Sequence, residues 1–322
     1  MHPNIAAWLH AKCTKPLQVR PAPYTTPKAG EIKVQNKAVA INPVDWVKQE
    51  AGYLLLDYIR YPFVSGGDVA DEVVIEVGSN VERFHVRDRV IKQAVAAAPS
   101  LNNPSEGAFK HYTVIREHLA VAITDWMTYE QARVLPLALL TAAYGLFDPS
   151  FLALSSPNKA VIITGGSFSV GSNASQLAVS ARYQVYSTAS PKSFAYAERL
   201  SATRVFDYHS TTWVDELVAE HQGKTLAGAF AGGDSAVGAC IEVIRRCEKA
   251  EEFVAYVGVY TAPRHVVRTR FIVAQDIYEP DNVISYLVFR AFLANALASQ
   301  QLVPPPEPLV NRKRGYRRFK KG

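Results

Sequence analysis

The chain is short of the residues that staple a protein covalently or anchor it in lipid. Its three cysteines, Cys13, Cys240 and Cys247, are too few and too scattered for a disulfide framework or a four-thiolate zinc site. No apolar run approaches the roughly 18 residues of a membrane span, and Met1-His-Pro-Asn4 lacks the basic and then apolar regions of a secretion signal. Neither spanning nor export is expected, and a reducing cytoplasm is the natural setting. The eight histidines (His2, His10, His85, His111, His118, His209, His221 and His265) show no metal-ligand spacing and read as surface or loop residues. Acidic residues are missing from one place above all: residues 311–322, NRKRGYRRFKKG, hold seven basic residues and no acid. The net charge of +6 therefore belongs to this tail, and the first 310 residues carry −1. A Lys/Arg block can serve in nuclear localisation or RNA binding. The near-neutral body without a recognisable binding fold argues against nucleic acid as the partner.

What the chain does have is 322 residues at 48% apolar content, enough for two domains with cores of their own. Residues 1–125 are built from short alternating or β-branched runs, such as Glu31-Ile-Lys-Val34, Val73-Val-Ile-Glu-Val77 and Arg89-Val-Ile91, separated by Pro and Gly turns. They predict a β-rich domain. Over 126–265 strands alternate with helical patterns: strands at Ala160–Thr164, Gln184–Thr188, Arg204–Phe206, Leu226–Phe230 and Phe253–Val259, with helices between. Repeated βα units imply a doubly wound parallel sheet, so the expected class is α/β. Residues 266–310 are expected to return toward the first domain, and 311–322 are the basic tail.

The densest functional signal lies in Gly165-Gly-Ser-Phe-Ser-Val-Gly171, a glycine turn between an apolar strand and an amphipathic helix. A helix start offers unpaired N–H groups and a positive dipole end, and glycines let a diphosphate approach the backbone. Ser169, Val170, Gly171 and Ser172 are the expected phosphate contacts. The turn departs from G-x-G-x-x-G, and a glycine turn can equally be a tight connection only. At the end of the next strand, where NAD-preferring proteins place an acid, stands Ser190-Pro-Lys192. A hydroxyl and an ammonium suit a 2′-phosphate, which favours NADPH, the alternative being a solvated surface lysine.

In order, Asn42-Pro-Val-Asp45, Gly67-Asp68-Val-Ala70, Asp88-Arg-Val90, Pro136-Leu-Ala138 and Ser169-Val-Gly-Ser172 resemble the medium-chain dehydrogenase/reductase superfamily. Ala142-Ala-Tyr-Gly-Leu-Phe147, Ser190-Pro-Lys192, Phe206-Asp-Tyr-His209 and Pro306-Glu-Pro-Leu309 resemble, more narrowly, fungal enoyl reductases that act in trans on polyketide synthases. The resemblance, over residues 5 to 310, implies a GroES-like N-terminal domain, a Rossmann domain and a zinc-independent oxidoreductase. Where zinc relatives carry a Cys and a His-Glu pair, this chain has Asn42-Pro-Val-Asp45 and Gly67-Asp68.

By the same resemblance, Asn42, Pro43, Val44 and Asp45 flank the nicotinamide. Ser190, Pro191, Lys192, Ser193 and Tyr208 grip the 2′-phosphate and adenosine, and Val257 and Gly258 approach the nicotinamide. Val134, Leu135, Pro136, Leu137, Ala138, Leu139, Leu140 and Thr141, with Phe271, Ile272, Val273, Ala274 and Gln275, line the substrate. Asn-Pro-Val-Asp is also an ordinary turn, and Tyr208 could be a core aromatic. The implied reaction is hydride transfer from NADPH to an α,β-unsaturated thioester in secondary metabolism, with a polyketide synthase as a partner. A quinone or enone reductase and a non-catalytic NADPH-binding protein are the alternatives. Lys48, Tyr53 and Tyr58 are conceivable proton donors, and none is assigned.

Several positions depart from the relatives' pattern. Asp71, Arg182-Tyr183 and Ser201 stand where relatives carry glycine, and Phe168 replaces a small residue in the phosphate turn, where an inward ring would obstruct a diphosphate. The run Asp68–Gly78 is one residue longer than usual, which reverses the strand's faces unless a bulge absorbs it. The helix and strand that close the relatives' chain give way here to the basic tail, which the resemblance reads as a lost native ending.

Overall fold

The computed structural model describes residues 3–50, 57–233, 236–258, 267–273 and 277–310. They form two compact units: 3–137 with 277–310, and 138–273. Tyr53, Val259, Ala274, Gln275 and the basic tail lie outside the described residues.

The first unit opens with β1 (Ile5–Leu9), β2 (Gln18–Pro21), β3 (Glu31–Val39), helix α1 (Pro43–Glu50), β4 (Phe63–Val64), β5 (Asp68–Val77), β6 (Val90–Gln93), β7 (Tyr112–Arg116) and β8 (Ala120–Ala122). A three-stranded sheet runs β2-β1-β4 and a five-stranded one β7-β3-β5-β6-β8, every pairing antiparallel. Ile32, Val34, Val69, Val74, Phe84 and Val90 share one core. The extra residue between Asp68 and Gly78 is absorbed as expected of bulges. Lys33 pairs with Glu76 but Val34 with Val74, and Gln35 pairs with Val73 but Asn36 with Asp71, while Lys37 is the extra residue on β3 before Ala38 meets Ala70. Two insertions against one leave a net surplus of one on β5, and Val69 and Val74 still face the core. Helix α2 (Tyr129–Ala132) follows, started by a capping box between Thr128 and Gln131. Helix α3 (Pro136–Phe147) begins in this unit.

The second unit alternates β9 (Ala160–Ile163), α4 (Ser169–Ser180), β10 (Gln184–Ala189), α5 (Phe194–Arg199), β11 (Arg204–Asp207), α6 (Trp213–Glu220), β12 (Leu226–Gly232), α7 (Ala236–Arg246), β13 (Phe253–Val257) and β14 (Arg268–Phe271). The strands are parallel in the order β11-β10-β9-β12-β13-β14, the doubly wound order of a Rossmann fold. All of β9 and β12 is buried, because helices cover both faces of such a sheet. α7 supplies Val237, Cys240, Ile241 and Ile244, an i, i+3, i+4, i+7 stripe packed on that core.

His221 corrects the surface reading of the histidines: it is 3% exposed. As the residue ending α6 it turns back on the last turn, where its Nδ1–H donates to the Leu217 carbonyl (2.7 Å) and its ring meets Tyr186 edge-on.

The chain then re-enters the first unit through α8 (Val283–Tyr286), a π-helical turn at Leu287–Phe292 and α9 (Leu293–Ala298). Arg83 donates to the Glu117, Ala120 and Phe289 carbonyls, and Trp126 Nε1 donates to the Leu297 carbonyl, holding this return in place.

Candidate functional site

In the second unit the site is made by glycines that nothing larger could replace. Thr164, at the end of β9, receives the Gly232 N–H on its hydroxyl (2.9 Å). Gly165 follows at φ +68°, its N–H on the Thr188 hydroxyl, and Gly166 donates to the Thr188 carbonyl (3.0 Å). A β-carbon on Gly166 would fall 2.1 Å from the Ser187 hydroxyl, and one on Gly171 would fall 2.2 Å from the Gly165 carbonyl oxygen. Gly171 thus lets the first turn of α4 press against the turn after β9, as the third glycine of a dinucleotide fingerprint does. Ser172 locks the pair by donating to the Gly166 carbonyl (2.8 Å). The residue preceding α4, Phe168, makes no side-chain cap. The first-turn N–H groups of Ser169, Val170 and Gly171 are therefore left for an external acceptor, and the positive helix end points the same way. The cradle fits a diphosphate.

The strand register gathers the other predicted contacts on the same edge. Ala189 at the end of β10 pairs with Asp207 at the end of β11, so the Ser190–Ser193 turn and Tyr208 leave the sheet side by side. The Ser190 and Ser193 hydroxyls are 3.5 Å apart, Lys192 is exposed and Tyr208 is 46% exposed. Tyr208 is no core aromatic, and its ring tilts against His209. Gly232 pairs with Val257, which brings Val257 and Gly258 (φ +114°) to the strand end beside Gly233.

The substrate-lining segments are less open than the resemblance implies. Leu135, Pro136, Ala138, Leu139 and Leu140 are buried, leaving Val134, Leu137 and Thr141 partly exposed. Ile272 packs against Gly145, and the Phe271 ring tilts against Tyr256; of the described residues 271–273 only Val273 is exposed.

In the first unit Asn42 and Asp45 form a polar knot. The Asn42 N–H donates to Asp45 Oδ2 (3.1 Å), half of a capping box at the start of α1. Asp45 Oδ1 accepts from the Gly66 N–H (3.1 Å) and the Lys48 ammonium (3.3 Å), with both side chains buried. Asp68, 1% exposed, accepts from the Asn42 side-chain amide (2.8 Å) and from the Leu137 N–H (2.7 Å) in the first turn of α3. Burial, reinforced by the Asp45 charge, pushes the Asp68 carboxyl up to about 7 against the pull of those two bonds. Asn42 and Asp68, which the resemblance sets at the zinc relatives' ligand positions, bond to each other. The phenol of Tyr278, which sequence reasoning passed over, is pushed upward by burial and then by the Asp68, Tyr58 and Asp45 charges. Only its distance along the chain hid it. Of the conceivable donors, the Tyr58 hydroxyl donates a hydrogen bond to the Ala97 carbonyl (2.7 Å) and Lys48 is held by Asp45. Pro43 and Val44 are exposed at the start of α1.

Known proteins share both halves. The alcohol dehydrogenase GroES-like domain matches residues 28–125. The dehydrogenase pigH of Monascus ruber is 39% identical over 96% of this chain and 92% of its own length. The trans-enoyl reductase himH of Aspergillus japonicus is 33% identical over 95% of this chain and 89% of its own. Among solved structures, the CurK enoyl reductase aligns at a TM-score of 0.74 with 18% identity, covering 95% of this chain and 91% of that one, a likeness of fold.

Proposed function

This chain belongs to the medium-chain dehydrogenase/reductase superfamily and is an oxidoreductase, and from that premise we propose that it is an NADPH-dependent enoyl reductase of secondary metabolism. The observation that carries the cofactor is the glycine cradle at α4 beside the acid-free Ser190-Pro-Lys-Ser193 turn. Gly165, Gly166 and the first-turn N–H groups of α4 hold the diphosphate; Ser190, Ser193 and Lys192 hold the 2′-phosphate, and Tyr208 flanks the adenosine. The thioester substrate is supported by the trans-enoyl reductase among the relatives, and its acyl chain arrives on a carrier of a polyketide synthase.

The bound cofactor supplies a hydride. The acceptor takes that hydride on its β-carbon, the alkene electrons shift toward the thioester carbonyl, and the α-carbon takes a proton. The chain's part is to position and shield. The Asp45 and Asp68 bonds hold the Asn42–Asp45 turn in one conformation, and the proton donor stays unassigned. In this reading no zinc takes part, since the amide and carboxylate at the ligand positions already satisfy one another.

Calorimetric titration with NADPH and NADH tests the cofactor. NADPH is expected to bind at least tenfold more tightly, and Lys192→Ala to lower that preference by about tenfold, the worth of one charge-assisted hydrogen bond. Equal affinity for the two cofactors would refute the 2′-phosphate site. Oxidation of NADPH with a crotonyl thioester then tests the substrate; turnover of quinones or simple enones alone would assign the chain to a different reductase.

A further inference from the structure

Phe168 is an unusual residue for its place. Helix starts favour Ser, Thr, Asp or Asn, whose side chains accept from a first-turn N–H, and a phenyl ring cannot. The ring is also 56% exposed, so it is not there to fill a core. Where it lies follows from the glycines around it. A β-carbon on Gly165 would sit 2.7 Å from its Cδ2 and 3.2 Å from its Cε2, and one on Gly233 would sit 3.9 Å from Cε2. The ring therefore rests on Gly165 and reaches toward Gly233.

Those two glycines follow β9 and β12, neighbours at the centre of the sheet. From β9 the chain winds outward through β10 to β11, and from β12 it winds the other way through β13 to β14. The reversal makes the gap between these strand ends the switch-point crevice, where doubly wound sheets take their ligands. Phe168 lies across its mouth. A ring resting on Gly165 there offers phosphates no donor. Its exposure leaves it free to leave by rotation about the Cα–Cβ bond, a change between staggered rotamers that disturbs no core packing.

We propose that Phe168 is a swinging cover of the dinucleotide crevice, closed over Gly165 in the free protein and turned out to solvent when a dinucleotide is seated. This rests on the NADPH reading above. The apparent dissociation constant is the intrinsic one divided by the fraction of molecules with the ring out. Deleting the ring removes that factor for ligands that cross the crevice and leaves it at one for ligands that stop at the 2′-phosphate turn.

Titration of the full chain, Phe168→Ala and Phe168→Leu with NADPH and with adenosine 2′-monophosphate reads this directly. The monophosphate binds at Ser190–Ser193 and does not cross the crevice. In Phe168→Ala the dissociation constant for NADPH is expected to fall by about five- to twentyfold, as for a ring that is out on the order of one-tenth of the time. In Phe168→Leu it falls less, and the monophosphate constant stays the same in all three proteins. NADPH binding gained by Phe168→Ala in a parent that shows none would support the cover equally. Unchanged or weaker NADPH binding in Phe168→Ala, with the monophosphate still bound, would overturn the cover and leave the cofactor assignment standing. No binding of either probe by any of the three would overturn both.

Discussion

Two helix ends in the second unit carry a side chain where the backbone asks for none, and restoring glycine there should stabilise the protein by an amount that can be worked out. After α4 the chain passes Ala181 and reaches Arg182 at φ +64°; the Arg182 N–H returns to the Val179 carbonyl (2.8 Å) and the Tyr183 N–H to the Ala178 carbonyl (2.9 Å). After α5 it reaches Ser201 at φ +67°, with the Ser201 N–H on the Glu198 carbonyl (2.8 Å) and the Ala202 N–H on the Ala197 carbonyl (3.4 Å). Both are Schellman ends whose left-handed residue is usually glycine. A left-handed L-residue costs about 1–2 kcal/mol, and glycine gives back about 0.5–1 kcal/mol through its freer unfolded chain. The net gain is about 0.5–1 kcal/mol per site. The two sites share no partner, so Arg182→Gly with Ser201→Gly should gain about 1–2 kcal/mol, a rise of roughly 2–8 °C in the midpoint for a unit of this size. Urea and thermal unfolding measure it, and Arg182→Ala, which removes the charge but keeps the β-carbon, separates backbone strain from charge. If the Ala and Gly variants at position 182 unfold together, the strain argument is wrong.

Two further outcomes follow from the site. Gly171→Ala drives a β-carbon against the Gly165 carbonyl at 2.2 Å, so helix or turn must shift; we expect about 1–3 kcal/mol of destabilisation and at least a tenfold loss of NADPH affinity, read by thermal unfolding and titration. Burial pushes the Asp68 carboxyl from 3.8 up to about 7, so its stabilising contribution is complete below 3.8 and is lost steadily as pH rises from there through 7. The full swing is about 4 kcal/mol, of which about 3 kcal/mol falls between pH 5 and pH 8. Asp68→Asn, with Asp45, Tyr58 and Tyr278 left in place, should flatten this part of the stability profile when urea midpoints are compared at pH 5 and pH 8, whereas parallel profiles would show that Asp68 is charged throughout.

The α/β unit was legible because its strands are buried on both faces. Ala160-Val-Ile-Ile163 and Leu226–Phe230 are apolar runs without alternation, and Gly165 to Gly171 punctuate them where the physics requires. β14 was not legible. Arg268-Thr-Arg-Phe271 pairs only with β13, so as an edge strand it alternates exposed arginines with partly buried residues, and the sequence read as part of the return segment. Tyr278 and the Asp68–Leu137 bond were hidden for another reason. Each joins residues far apart in the chain through one polar contact or one charge, and no periodicity records such pairings.

Helix α1 shows how far such a contact can override pattern. By composition Val44 and Trp46 should be its buried face and Asp45 and Lys48 its wet one, yet Trp46 is 58% exposed, as is much of Ile41 just before it, while Asp45 and Lys48 are 6% and 4% exposed. The inversion holds because the buried charges are fully engaged: Asp45 takes the Asn42 and Gly66 N–H groups and the Lys48 ammonium. Removing one partner would strand the other without water, a loss of about 3–5 kcal/mol, whereas the exposed Trp46 could be cut back at little cost to folding. A tryptophan left outside while two charges are taken in gains nothing for the core. On the enoyl reductase reading proposed above, Trp46 beside the Asn42–Asp45 turn is the apolar contact for the acyl chain, and Trp46→Ala should raise the KM for a long-chain enoyl thioester several-fold while leaving the crotonyl thioester and the unfolding midpoint unchanged. A lowered midpoint with unaltered KM would return Trp46 to packing.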